Sequence, residues 1–365
     1  MTVRAYLRPV GRVTLCPDPV VATADDVVRI ADRNDLLFMG VELLVRQSGG
    51  VIDRRMLSHH DARTLARQAT PLGSQVAALL HRLATARTPV AGLTFDRPRL
   101  MGIVNVTPDS FSDGNKFIDA HDAIAHALAL EQAGADIIDI GGESTRPGAV
   151  PVSLDQELAR VMPVIEGLVG RTRALISVDT RKADVMRRAA IAGAHMINDV
   201  SALTHDPRSL HTARASGLPI VLMHAQGDPR TMQQDPRYDN VLLDVYDWLE
   251  ERIDVCVAAG IARDRLFVDP GIGFGKTAAH NLELIAGASL FHGLGCGLLL
   301  GASRKNFIGR LTGAVDPAHR MPGSVAAALA GAMQGVQVLR VHDVAETRQA
   351  LSVWEAVTLG AAPKT

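Results

Sequence analysis

"LFVDPGIGFGKT", residues 266–277, is an apolar run that ends on an acid and then runs out through three glycines, a lysine and a threonine. Two readings compete for it. As a phosphate loop it would open a helix in a nucleotide-binding sheet. As a strand exit it would be one of several in a barrel. The phosphate-loop pattern needs a glycine, four residues of any kind, then Gly-Lys-Ser/Thr. Five positions before Gly275 stands Pro270, so the spacing misses by one. The dinucleotide fingerprint fails too, because Gly271, Gly273 and Gly275 alternate strictly. The stretch takes its meaning from its neighbours.

From Arg99 onward the same rhythm repeats: a short apolar run ends in polar or glycine residues and a helix-like segment follows. The runs are "LMGIVNVT" (100–107), "DIIDIGG" (136–142), "LISVDT" (175–180), "HMINDV" (195–200), "PIVLMH" (219–224), "LFVDPG" (266–271), "GLLLGAS" (297–303) and "VQVLRVHD" (336–343). Strands alternating with helices pair in parallel. Eight such units predict a (β/α)8 TIM barrel within the α/β class. An open doubly wound sheet is the competing fold. The count of eight, and the lack of a glycine-rich turn after the first strand, favour the barrel.

Residues 1–95 read differently, as a small α/β N-terminal extension before a barrel domain at 96–365. "AYLRPV" and "LLFMGVELLV" predict strands, Ser58 with Asp61 a capping box, and Thr70-Pro71 a helix start with Val76, Leu79, Leu80 and Leu83 on one face. "RTPVAG" reads as a linker. This part carries no visible chemistry, so the complete site is expected after Arg99. Adjacent His59 and His60 would diverge on a helix and read as a solvated pair.

Hydrophobic residues make up 47% of the 365, enough for a large core. The 38 basic and 39 acidic residues nearly cancel, so no global field favours nucleic acid or a membrane surface. Cys16, Cys256 and Cys296 are too far apart for metal-ligand spacing, and their odd count argues against a disulfide framework. No apolar run has the length of a membrane span or a signal peptide. A soluble cytoplasmic protein is the expectation.

In barrel enzymes the active site lies at the C-terminal ends of the strands. Those ends carry Asn105; Glu143, Thr145 and Arg146; Asp179 and Thr180; Asn198 and Asp199; Met223 and His224; Asp269; Arg304 and Lys305; and Arg340 and His342. Singly, each has a plain reading: Asp179-Thr180 as a helix cap, His224 as a satisfied core histidine. Together, eight strands ending in hydrogen-bonding groups make a mouth that is costly to close without a polar ligand. Arg340 and His342, two apart on a strand, share a side and with Arg304 and Lys305 suggest an anion site. Asp179, Asn198 and Asp269 suit a flat heterocycle rich in N–H groups and ring nitrogens.

"NVTPDSFSDG", "GGESTRPGA", "SVDTRK", "MINDVSA", "VLMH", "DPGIGFGK", "GASRK" and "RVHD" resemble, in order and over about residues 98–360, the dihydropteroate synthase family. The resemblance implies a transferase of folate biosynthesis. It would condense 7,8-dihydropterin-6-ylmethyl diphosphate with 4-aminobenzoate to give dihydropteroate and pyrophosphate. It implies catalytic roles for Asp179, Asp269, Lys305, Arg340 and His342. Asp179, Asn198, Asp269 and Lys305 would bind the pterin, Met223 would be a further substrate-binding residue, and Thr145, Arg340 and His342 would lie on the diphosphate side. Asn105 would reach Mg²⁺, and Phe111, Arg146, Pro147, Phe274 and Lys305 would line the aminobenzoate site. A homodimer is implied as well. A pterin-dependent methyltransferase and a non-catalytic pterin-binding paralogue are the alternatives. Lys276 stands open between a solvated loop lysine and a group of the site. Asn306 departs from the family, where serine commonly follows "SRK".

Overall fold

A computed structural model describes residues 3–13, 27–33, 35–47, 50–107, 120–144, 150–227 and 232–359. Phe111, Thr145, Arg146 and Pro147 lie outside them, as does Cys16.

The N-terminal part forms a four-stranded antiparallel sheet. Strand β1 (Arg4–Val13) pairs with β3 (Leu37–Arg46), and β3 also pairs with β2 (Val28–Arg29) and β4 (Ile52–Ser58). Helix α1 (His59–Ala66) starts at Ser58, whose hydroxyl accepts from the Asp61 amide, and α2 (Pro71–Ala84) starts at Thr70, which accepts from Gly73. The sequence suggests only two of these strands. β4 was hidden because "IDRRMLS" is polar and largely exposed, held to β3 through its backbone.

Successive strand residues point to opposite faces. Leu7 and Leu43 pack with Val76, Leu79 and Leu83 of α2. Their neighbours Tyr6 and Leu44 point the other way and belong to the large core that surrounds the barrel. β3 at the middle of the sheet is therefore buried on both faces, which explains why it is apolar nearly throughout.

The barrel closes from β5 (Arg99–Asn105), β6 (Ile137–Gly141), β7 (Leu175–Asp179), β8 (Met196–Asp199), β9 (Ile220–Met223), β10 (Leu266–Asp269), β11 (Gly297–Leu300) and β12 (Val338–Val341), all neighbours parallel, with β12 returning to β5. Helices follow the strands: α3 (Ala120–Gln132), α4 (Leu154–Leu168), α5 (Ala183–Ala192), α6 (Ser209–Ser216), α7 (Val241–Ala258), α8 (Ala278–Ala286), α9 (Asn306–Thr312), α10 (Met321–Met333) and α11 (Val344–Leu359). Buried strands covered by helices outside and packed against each other inside need apolar residues on both faces, and their sequences supply them.

The barrel interior is built in layers two residues apart, the period of a strand. The base of the interior takes one side chain from every strand, alternate strands supplying successive layers: Met101, Ile137, Leu175, Met196, Val221, Phe267, Leu299 and Val338. Val90 and Phe95 close it from below, Phe95 with its ring centroid 5.3 Å from that of Phe267. The presumed linker is thus a plug: Val90 and Leu93 exchange backbone hydrogen bonds, and Arg87 donates to the carbonyls of Arg82, Thr85 and His292.

Candidate active site

Two residues further up, the interior turns polar on five of the eight strands, with Ile103, Met223 and Gly301 on the other three. Asp139, Ser177, Asn198, Asp269 and Arg340 replace the apolar layer, and Asp179 stands one pleat above Ser177. Arg340 joins three strands. Its Nε donates to Asp139 Oδ2 at 2.6 Å and its Nη2 to Asp179 Oδ2 at 2.8 Å. Asn198 Nδ2 donates to the same Asp139 oxygen at 2.9 Å. Asp139 is fully buried, and its Oδ1 and the Ser177 hydroxyl, direct partners across the β6–β7 ladder, have no hydrogen-bond partner among the described residues.

One guanidinium cannot neutralise two carboxylates. Burial pushes the Asp179 carboxyl up to about 7, Arg340 opposes that, and Asp139 adds to it. Burial works against the Arg340 charge, but Asp139 and Asp179 outweigh it and raise its pKa. An acid whose folded pKa lies above its unfolded value near 4 binds a proton in the native state that the unfolded chain has released. Stability of the free protein is therefore expected to fall as pH rises from about 4 to about 7. Comparing unfolding midpoints of parent and Asp179→Asn across that window isolates this group. Parallel curves would remove Asp179 as the source.

Asp269, buried at the end of β10, accepts from the Gly271 amide at 2.7 Å through Oδ1. Burial raises its pKa, and Lys305 is the leading opposing influence. Lys305 donates to the Ile272 carbonyl and lies 4.7 Å from the centroid of the Phe274 ring. Burial lowers its pKa to about 8, with Asp269 pulling the other way. Gly271 has φ +69°, and a Cβ there would sit on the His224 carbonyl oxygen. That glycine lets the loop after β10 lie against the loop after β9, an approach of backbone to backbone.

Lys276 is no solvated lysine. It is 3% exposed, and Nζ lies 2.9 Å from His224 Nδ1 and donates to the Phe274 carbonyl at 3.0 Å. Burial holds its pKa well below the usual lysine range, and His224 is held low by burial and by Lys276. The two residues bind the loops after β9 and β10 together.

The remaining candidates divide. Met223 and Phe274 line one cavity of about 140 Å³ with Arg181, Ser201, Met232 and Trp248. Asn105 ends β5, half-buried at the mouth. His342 follows β12, its Nδ1 2.9 Å from the Ser303 hydroxyl. Arg304 turns to a two-point pair with Asp343, and Asn306 accepts from Arg320 at 2.8 Å. Asp199 serves its own turn, accepting from the Ser201 and Leu203 amides. Glu143 is paired with Arg181 at 3.0 Å and Lys182 at 2.9 Å. Sequence reading passed over Asp139, Lys182 and the buried Glu157, which accepts from Lys182 and from the Thr180 hydroxyl; for Asp139 the signal was there, since Ile137, Asp139 and Gly141 share one face of β6.

Residues 101–342 match the model of a family described as "Pterin binding enzyme". The dihydropteroate synthase of Escherichia coli (strain K12) is 50% identical over 264 residues, 72% of this chain and 93% of that protein. Two solved structures of the Xanthomonas albilineans dihydropteroate synthase superpose well. One, with 4-aminobenzoic acid, has a TM-score of 0.71 at 52% identity, covering 76% of this chain and 99% of that one. The other, in complex with 7,8-dihydropteroate, has a TM-score of 0.68 at 49% identity, covering 76% and 100%.

Proposed function

The chain belongs to the dihydropteroate synthase family, and we propose from that premise how its own residues run the reaction. The substrates are 7,8-dihydropterin-6-ylmethyl diphosphate and 4-aminobenzoate; the products are 7,8-dihydropteroate and pyrophosphate, a step of folate biosynthesis. The carrying observation is the polar layer. Asp179, Asn198 and Asp269 bring polar side chains to the C-terminal ends of three barrel strands, and Lys305 lies over the Phe274 ring on the loop after β10.

Carboxylates accept hydrogen bonds from ring N–H groups, and Asn198 offers both a donor and an acceptor. The pterin would lie in this layer, with Met223 against its face. The bond from the methylene carbon to the diphosphate oxygen breaks and a bond to the aminobenzoate nitrogen forms; that nitrogen then releases a proton. An arylamine is a weak nucleophile, so departure of pyrophosphate is the demanding event. Asp269 would offset positive charge spreading from the methylene carbon into the ring. Thr145 and His342 would meet the diphosphate. Arg340, tied to Asp139 and Asp179, would hold the pterin carboxylates in place while facing that side. Fixed charges and donors of this kind each contribute roughly a hundred- to thousandfold. Phe274 and Lys305, with Phe111, Arg146 and Pro147, would hold the aminobenzoate. The direct test is pyrophosphate release with both substrates present; none from folded protein would refute the reading.

Mg²⁺ takes oxygen ligands, keeps several waters and commonly bridges substrate phosphates. The Asn105 amide supplies one such oxygen and makes no hydrogen bond to another described residue. No group of three or more His, Cys, Asp or Glu among the described residues could hold a metal. That donor set fits an ion shared with the substrate, where it would neutralise charge on the diphosphate oxygens. Asn105→Ala is expected to raise the Mg²⁺ concentration for half-maximal activity several-fold. Full activity in excess chelator would remove the metal.

No described helix is long and apolar enough to cross a membrane. The free thiols of Cys256 and Cys296 suit a reducing cytoplasm. Leu311, Val315, Met333, Val353 and Val357, exposed on or beside α9, α10 and α11, support a homodimer through that flank.

A further inference from the structure

The relatives that match the barrel leave the N-terminal sheet without a role. Its barrel-facing surface is chemically specific. Arg4 and Arg46 sit directly opposite each other on the β1–β3 ladder, a repulsive arrangement unless acids meet both. Helix α7 provides them at three-residue spacing, hence on one face: Asp244, Asp247 and Glu250. Arg46 Nη2 donates to Asp244 Oδ1 at 2.6 Å and Nη1 to Asp247 Oδ2 at 2.9 Å. Arg4 reaches Asp247 at 3.0 Å and Glu250 below it, Arg82 reaches Glu250 at 3.0 Å, and the Tyr6 hydroxyl donates to Asp247.

Only Asp244 is also part of the mouth. It lies in the first turn of α7, and its Oδ2 accepts from the amides of Asp239 at 2.9 Å and Asn240 at 3.1 Å. The preceding residue, Tyr238, donates its hydroxyl to the Gly275 carbonyl at 2.8 Å, between Phe274 and the buried Lys276. Gln233, on the same loop, donates to the Gly273 carbonyl. A continuous chain of bonds runs from β3 to the loop that begins at Asp269.

The geometry points to Arg46 as a positioning residue for the synthase reaction: by fixing Asp244 it fixes the 238–240 turn and, through Tyr238, the 271–276 loop against which both substrates are held. The N-terminal sheet is then a buttress of the active site, against the expectation that the site is complete after Arg99. Removing the sheet would free the turn as well as uncover Tyr246, which meets Tyr6 edge-on, and Phe291, which stacks on Tyr246.

The kinetic half of the test rests on the synthase reading; hydrogen exchange does not. Arg46→Gln keeps the stem and loses the charged fork. It is expected to raise amide exchange in peptides covering 232–240 and 271–277, with the barrel base around Val90–Met101 unchanged. KM for the two substrates should rise roughly tenfold, more than kcat falls. Arg46→Lys should recover part of both. Arg4→Gln, on the same sheet but tied to α7 below the turn, should leave exchange in the two loops and both KM values as in the parent. Tyr238→Phe should reproduce the Arg46→Gln change and add little to it in the double variant. A parent that releases no pyrophosphate refutes the synthase reading and leaves the exchange result standing. Parent-like exchange in folded Arg46→Gln, equal effects from Arg4→Gln, or additive losses with Tyr238→Phe would overturn the positioning role.

Discussion

Asp269→Asn is expected to lower kcat/KM for the pterin substrate by about a hundredfold or more, with the fold intact. The carboxylate has two jobs. Oδ1 takes the Gly271 amide, and the other oxygen, with no donor among the described residues, is free to accept from the ring. An amide has one acceptor oxygen. If it keeps Gly271, it turns two N–H donors toward a ring edge that itself donates; if it serves the ring, it opposes the Gly271 N–H with a donor. The variant also loses the negative charge beside Lys305, so the ammonium is left more exposed to the cost of burial. Steady-state kinetics with each substrate varied, beside circular dichroism, read the result. Unchanged kcat/KM in folded protein would take Asp269 out of the site.

Arg340→Met is expected to cost about 3–5 kcal/mol of stability near neutral pH, because removing one partner of a buried charge cluster leaves the others uncompensated. Here two carboxylates are abandoned together, Asp139 wholly buried and Asp179 nearly so. The folded pKa of Asp179, already raised by burial, then rises further without the guanidinium that opposes it. Ionised acids in that state oppose folding, so the penalty should shrink as pH falls and protons neutralise them. Denaturant unfolding of parent and variant at about pH 5 and pH 8 tests both size and sign. A difference that does not change between the two would mean that the carboxylates are not its cause. Asp139→Asn in the variant should restore part of the loss.

The barrel was legible because each of its strands is an apolar run bounded by polar residues, a pattern forced by burial on both faces. The site was legible where a polar residue ended such a run. Asp179, Asn198 and Asp269 could be found that way, and their roles remain proposals. Asp139 escaped because it interrupts "DIIDIGG" in the middle; only the two-residue period of the interior marks it. Lys276 stayed open for a different reason: its partner His224 comes from the loop after another strand, 52 positions earlier. Arg304 and Arg340 were read, with Lys305 and His342, as parts of one anion site; the carboxylates that also engage them, Asp343 and the Asp139–Asp179 couple, lie far from them or unremarked in the chain. The buttress was invisible for the same reason, since Arg46 meets acids about two hundred residues away.

That separation also sets an order of events during synthesis. Domains fold largely as units, the N-terminal one first, as the chain emerges. The N-terminal sheet carries its own core, from Leu7 to Leu83, and has what it needs to form early. Its other face must wait. Tyr6, Leu44 and two uncompensated arginines stay uncovered until α7 is made, and Arg12 lacks the ring it lies against until Trp354 appears. Closure of this seam therefore waits on parts of the chain made much later, and the nascent protein passes through a stage in which a formed sheet offers an open, basic and partly apolar surface to its surroundings.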